Sequence, residues 1–129
     1  MKRNHYSTGA RWESIVGYSR AVRTGNVIEV SGTCSVNEEG EPFAPDDMYL
    51  QTHRALDIII KAVESLGAHK EDIVRTRMYV TDISLWEDAG RAHGEVFSDI
   101  RPATTMVEVS KLINPLFLIE IEATAIIVE

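Results

Sequence analysis

A chain of 129 residues with 44% hydrophobic, 26% charged and 7% aromatic side chains has the composition of one globular domain with material for a core. Its net charge of −7, with no basic run of any length, argues against nucleic acid as the main ligand, because that binding relies on clustered Lys and Arg. The single cysteine rules out an internal disulfide or a cysteine-rich metal site, and no stretch approaches the ~20 apolar residues of a membrane span.

In chain order, residues 1–16 are polar and irregular, with Trp12 expected to pack as an anchor for this arm. Two positive charges near the start are followed by no apolar segment, so no signal peptide is expected and the cytoplasm is the expected location. Residues 18–22 and 27–32 read as strands around Arg23-Thr-Gly-Asn26, a hairpin in which the Gly-Asn pair tolerates the positive φ of a tight turn. Residues 33–45 carry no period and read as a loop. Asp46 or Asp47 is the expected N-cap of a long helix ending near Gly67, with an apolar stripe of Leu56, Ile59, Ile60, Val63 and Leu66. His53 is expected on its surface.

Residues 74–80 form the next strand, with Val74, Met78 and Val80 towards the helices and Arg75, Arg77 and Tyr79 on the other face. Ser84 opens a second helix as part of a capping box with Glu87, its buried side made by Trp86, Ala89, Val96 and Phe97. Arg101-Pro102 ends it, since proline pushes its predecessor into an extended conformation. Two further strands complete the chain. In the last, Ile119, Ile121, Ala123, Ala125 and Ile127 alternate with Leu118, Glu120, Glu122 and Thr124. The order β-β-α-β-α-β-β, without linkers or repeats, predicts one α+β domain over residues 1–129, with two helices on one face of a mixed sheet. The second face mixes Leu118 with carboxylates, so it is expected to be partly buried by another route.

Several familiar signals fail. His93-Gly-Glu95 matches half of a zinc-deaminase motif, but its P-C-x-x-C partner is missing. The eight glycines are scattered rather than grouped as a phosphate loop, and the four histidines have no metal-ligand spacing. Cys34 reads as a packed thiol. What remains is the polar sheet face, where Glu120 and Glu122, Arg75 and Arg77, and Glu29 and Ser31 are expected to meet. These charges form either an ion-pair network or a site in which one carboxylate moves a proton.

Pro102-Ala103-x-Thr105-x-Val107-Glu108-Val109 followed by Ile119-Glu-Ile-Glu-Ala123, together with Gly17-Tyr-Ser19, Gly25-Asn26, Ser31-Gly32 and Tyr79-Val-Thr-Asp82, resembles the Rid family across nearly the whole chain. These are the RidA-like enamine/imine deaminases, also labelled translation inhibitors or endoribonucleases. The resemblance implies a chorismate-mutase-like fold and a homotrimer whose site lies between adjacent subunits. It implies catalysis without metal or organic cofactor: water attacks an imine carbon, releasing ammonia and a 2-oxo acid. Carried over by position, Tyr18 and Glu120 are the catalytic candidates, with Ser31, Gly32, Thr104, Thr105 and Met106 binding the substrate.

One departure outweighs the matches. The family's Pro-Ala-Arg places a carboxylate-binding arginine where this chain has Thr104. A family asparagine in the second helix is replaced by Gly90. Arg20 and Arg77 are the candidate replacement anchors; Arg101, on the opposite face, is a poor one. The expected function is therefore a small-molecule hydrolase acting on an imine, enamine or related metabolite, with weak or altered 2-aminoacrylate deamination. The alternative is a non-catalytic trimeric protein holding a small ligand in the same clefts. An endoribonuclease follows only from the family label, and the acidic charge opposes it.

Overall fold

Ile119, Ile121, Ala123 and Ala125 are almost wholly removed from solvent, while Leu118, Glu120, Glu122 and Thr124 between them stay half-buried. That alternation places strand β6 (Ile119–Ile126) at the centre of the molecule, apolar side against the helices. A computed structural model describes residues 2–128. The six strands run in the order β1-β2-β3-β6-β4-β5. They are β1 (Arg3–Tyr6), β2 (Ala21–Thr24), β3 (Val27–Cys34), β4 (Ile73–Val80), β5 (Ala103–Glu108) and β6. Every pairing is antiparallel except β4 with β5, whose parallel arrangement requires the crossover supplied by the second long helix.

Helix α2 (Met48–Ser65) and helix α3 (Trp86–Phe97) pack on one face. From α2, Ala55, Leu56, Ile59, Ala62 and Val63 enter the core, with Ile60 and Leu66 at its margin. Asp47 caps α2 by accepting from the Leu50 amide at 2.9 Å. Gly67 stops it, at a φ of +94° that other residues rarely adopt. The expected α+β architecture is the observed one, with two additions at the start: residues 1–16 are not irregular but contain β1 and a short helix α1 (Arg11–Val16).

Other expectations need correction. The strand before the hairpin turn begins at Ala21, so Tyr18 and Arg20 lie in the irregular lead-in. Val74 is exposed and Ile73 buried instead, because the register with β6 shifts between Ile73 and Arg75 and flips the parity there. The cap near Ser84 is Asp82, whose carboxylate accepts from the Ser84 amide at 3.0 Å and opens a 3-10 turn (Ile83–Leu85) ahead of α3. Trp86 is then rotated outward and 54% exposed, while Ala92 and His93 join Ala89 and Phe97 on the buried side. Trp12 is no anchor within one chain: it is 45% exposed, under the Arg11 guanidinium.

Gln51, fully buried on α2, holds one end of the sheet together. Its amide nitrogen donates to the carbonyls of Ala44, Pro45 and Leu116 at 3.0, 3.1 and 2.9 Å, and its oxygen accepts from the Leu118 amide at 2.8 Å. Ala44 has a φ of +53°, a strained value for a residue with a Cβ, and the Gln51 bond helps to hold it there.

Candidate functional site

The open face of the sheet is built around a bulge. Val30 pairs with Ala123 but Thr33 pairs with Ile121, so Ser31 and Gly32 together oppose a single residue of β6. The extra residue leaves Gly32 beneath Glu120. A Cβ on Gly32 would lie 2.1 Å from Glu120 Oε2, so only a bare backbone lets this carboxylate settle there. The Cys34 thiol donates to Glu120 Oε1 at 3.4 Å. Burial, then the charge and hydrogen bond of Glu120, push the Cys34 thiol far up, keeping it protonated; it is a donor, not a nucleophile.

Arg20 and Tyr18 flank this carboxylate platform. The Arg20 Nη2 donates to the Gly32 carbonyl at 2.8 Å, and its guanidinium sits 5.6 Å from the centre of the Tyr18 ring. Its Nε is buried with no hydrogen-bond partner among the described residues. Ser31 is held by its hydroxyl to the Ser19 carbonyl at 2.7 Å and by its amide to the Arg20 carbonyl at 3.0 Å. The segment 18–20 and the bulge are thus one structure, sewn by backbone and hydroxyl groups.

The other polar residues form a separate row. Tyr79 donates to Glu122 at 2.8 Å, and that bond, then burial, raise the Tyr79 phenol above its ordinary value. Arg77 Nε lies 3.7 Å from the same carboxylate oxygen. Thr124 donates to Glu29, and Arg75 to Thr105, each at 2.6 Å. Of the expected ion-pair network, only Arg77–Glu122 forms, between two partly exposed side chains, a geometry worth little. Among the described residues Glu120 has no ion-pair partner. A groove of about 410 Å³ is lined by Tyr18, Ser31, Glu29, Arg77, Glu122 and His5 among others; Glu120 and Arg20 are not part of its lining.

Not all the predicted site residues meet. Register pairs Thr104 with Thr76 and Met106 with Met78, so Thr104 and Met106 face the helices, whereas Thr105 faces the open side. Glu120 and Thr104 of one chain are on opposite faces and two strands apart, roughly 10 Å across the sheet. They share no pocket within the chain. Met106 packs on the core margin, and Thr104 is exposed at the β5 edge. Two partnerships escaped the sequence: the thiol against Glu120, and the bond from Thr76 to Thr104, which continues to His93. Both depend on cross-strand register, for which the sequence carries no direct signal. Among the described residues no group of three His, Cys, Asp or Glu side chains converges as a metal site, and no helix is long and apolar enough to cross a membrane.

Six strands in one mixed sheet with two long helices on one face make this a small α+β protein. The family model described as endoribonuclease L-PSP matches residues 8–127. The fold of a Mycobacterium tuberculosis member of the YjgF/YER057c/UK114 family superimposes with a TM-score of 0.89 at 47% identity, covering 98% of this chain and 100% of that one. A Rid-family protein of Yersinia pestis gives a TM-score of 0.86 at 26% identity over 98% of this chain and all of its own. A RutC family protein of Pyrococcus abyssi is 33% identical over 108 residues, 84% of each chain. The chain belongs to the YjgF/Rid family, whose shared model carries the endoribonuclease L-PSP description.

Proposed function

We propose that this protein hydrolyses a small imine or enamine in clefts completed by a second and third copy of itself. The observation that carries the reading is the Glu120 carboxylate: it has no ion-pair partner among the described residues and lies against the Gly32 bulge with only a thiol donating to it. In this reading Glu120 takes a proton from water as the water oxygen bonds to the imine carbon. Glu120 passes that proton to the imine nitrogen to give the carbinolamine. It then takes the carbinolamine hydroxyl proton as the carbonyl forms and returns it to nitrogen as the C–N bond breaks with its electron pair, releasing ammonia and a carbonyl compound. The Tyr18 hydroxyl is the second polar group available to the reacting centre. Because Thr104 and Glu120 lie on opposite faces of one chain, a shared cleft requires Thr104 of one copy beside Glu120 of another, and the homotrimer implied by the family resemblance would supply that copy.

The two candidate anchors are no longer equivalent. Arg77 is already turned towards Glu122, whereas Arg20 adjoins Gly32 and carries a buried, unused Nε donor. Arg20 therefore supplies the carboxylate contact if the substrate is an imino acid. The test is ammonia release from 2-aminoacrylate generated in situ by a dehydratase, with Arg20→Ala and Arg77→Ala compared against wild type. Turnover that collapses in Arg20→Ala and survives in Arg77→Ala is the expected result; turnover unaffected by Glu120→Gln overturns the mechanism.

A second reading is favoured by Thr104 itself. A neutral hydroxyl at the Pro-Ala-Arg position suits a trimer that holds a ligand without consuming it. A 2-oxo acid that raises the melting temperature, in a protein that releases no ammonia from any imine, would support it. The acidic chain, with a net charge of −7, counts against RNA cleavage.

A further inference from the structure

Three side chains cross the sheet from the core to the β5 edge. His93 on α3, 9% exposed, has its Nε2 2.9 Å from the hydroxyl of fully buried Thr76. The Thr76 hydroxyl donates at 2.7 Å to the hydroxyl of Thr104, which is open to solvent. A hydroxyl has one proton. Where Thr76 gives that proton to Thr104, the bond to His93 runs the other way, from an imidazole protonated at Nε2; an imidazole protonated at Nδ1 reverses both bonds. In the first arrangement Thr104 Oγ1 accepts inward and keeps its own proton for a partner outside the chain.

Satisfying Thr76 and His93 would need only those two residues, and an exposed threonine at a strand edge ordinarily bonds to water. Here the third hydroxyl oxygen is held by a bond from the core, which leaves its own proton free for a partner. The imidazole is held in turn: its ring packs against Phe97, tilted at 45° with centroids 4.6 Å apart, and burial lowers its basicity, so it stays neutral near neutral pH.

We propose that His93, acting through Thr76, aims the Thr104 hydroxyl as a hydrogen-bond donor to an acceptor oxygen of the bound 2-oxo or imino acid. Thr104 is the contacting residue; His93 and Thr76 are positioning residues. This rests on the reading of the cleft given above, with Thr104 reaching the ligand from the copy adjacent to the one that supplies Glu120. It also accounts for a threonine at the arginine position of the Pro-Ala-Arg motif: the contact survives as a single, neutral, oriented bond.

The experiment uses 2-oxobutyrate as the probe, titrated into the whole protein and followed by nuclear magnetic resonance at the Gly32 amide and the His93 ring nitrogens. The inference expects His93 to be the Nε2–H tautomer and its Nε2–H signal to move together with the Gly32 amide, although His93 touches no ligand. Thr104→Val should weaken binding about tenfold, the worth of one ordinary hydrogen bond, and Thr104→Ser should restore it. His93→Phe should weaken binding severalfold, while His93→Gln, which keeps a donor near the Nε2 position, should rescue it. A Gly32 response with a silent His93 signal, or a Nδ1–H tautomer, overturns the inference and leaves the proposed cleft standing. No response at Gly32 with millimolar 2-oxobutyrate overturns the cleft reading and this inference with it. The wild-type signals decide the matter even if a His93 variant folds poorly.

Discussion

Gly32 shows what a single position contributes. A methyl group there would meet the end of a flexible side chain rather than backbone, so Glu120 can swing away and the fold survives. Gly32→Ala should therefore leave chemical denaturation within about 1 kcal/mol of wild type while reducing ligand binding or turnover at least tenfold, a split between stability and function that a core glycine would not give. Cys34 offers a complementary test. Burial and the neighbouring Glu120 charge hold the thiol protonated well above neutral pH. Ellman's reagent should accordingly react slowly with the native protein at pH 8, and Glu120→Gln should speed the reaction by removing one of the two causes. Rapid labelling of the native wild type would show that the thiol does not pack against the carboxylate.

At the scale of elements, two features dominate. Gln51 ties the N-terminal end of α2 to both the 44–45 loop and the segment entering β6. Gln51→Ala removes a fully buried side chain and leaves three part-buried carbonyls and an amide without their partner, and the unfolding free energy should fall by about 2–4 kcal/mol. Ile121→Ala, at the middle of the central strand and wholly buried, should cost about 2–5 kcal/mol by the usual cavity penalty. Helix α3 adds a pH dependence. Burial depresses the His93 pKa in the folded state, so unfolding takes up a proton once the solution is more acidic than the ordinary imidazole value of about 6.5. The contribution is fully present above that value and is lost as the pH falls through the lower, folded value. His93→Gln should flatten the decline in melting temperature that wild type shows below about pH 6.5.

For the whole molecule, two features stand open at the surface of a single chain. Trp12, Ile15 and Val16 on α1 are 45%, 68% and 69% exposed, and β5 presents an exposed, unpaired edge along Ala103–Glu108. Apolar patches and open edges of this kind are normally covered by a partner. Sedimentation equilibrium at micromolar concentration should return three times the 14.4 kDa chain mass. A monomer would remove the shared cleft, and with it the proposed meeting of Thr104 and Glu120. Charges in the α1 apolar patch, such as Ile15→Glu, should weaken assembly if that patch is part of the contact.

Periodicity marked both long helices and the central strand, though not β1 or α1. The period-two alternation of residues 118–127 marked the central strand and both of its faces, and the three- and four-residue steps of Leu56, Ile59 and Val63 marked α2, because burial of one face is a property of local spacing. Gly67 and Asp47 could be read as helix punctuation for the same reason: their roles lie within a few residues of their own backbone. The motif residues singled out Glu120, Tyr18, Ser31 and Gly32 as site candidates. What spacing could not decide was register. The shift at Val74, the bulge that sets Glu120 over Gly32, and the parallel pairing that turns Thr104 towards Thr76 and His93 each depend on which residues of distant strands lie opposite one another. A one-residue slip sends a side chain to the other face, and only the packed tertiary structure selects among those slips.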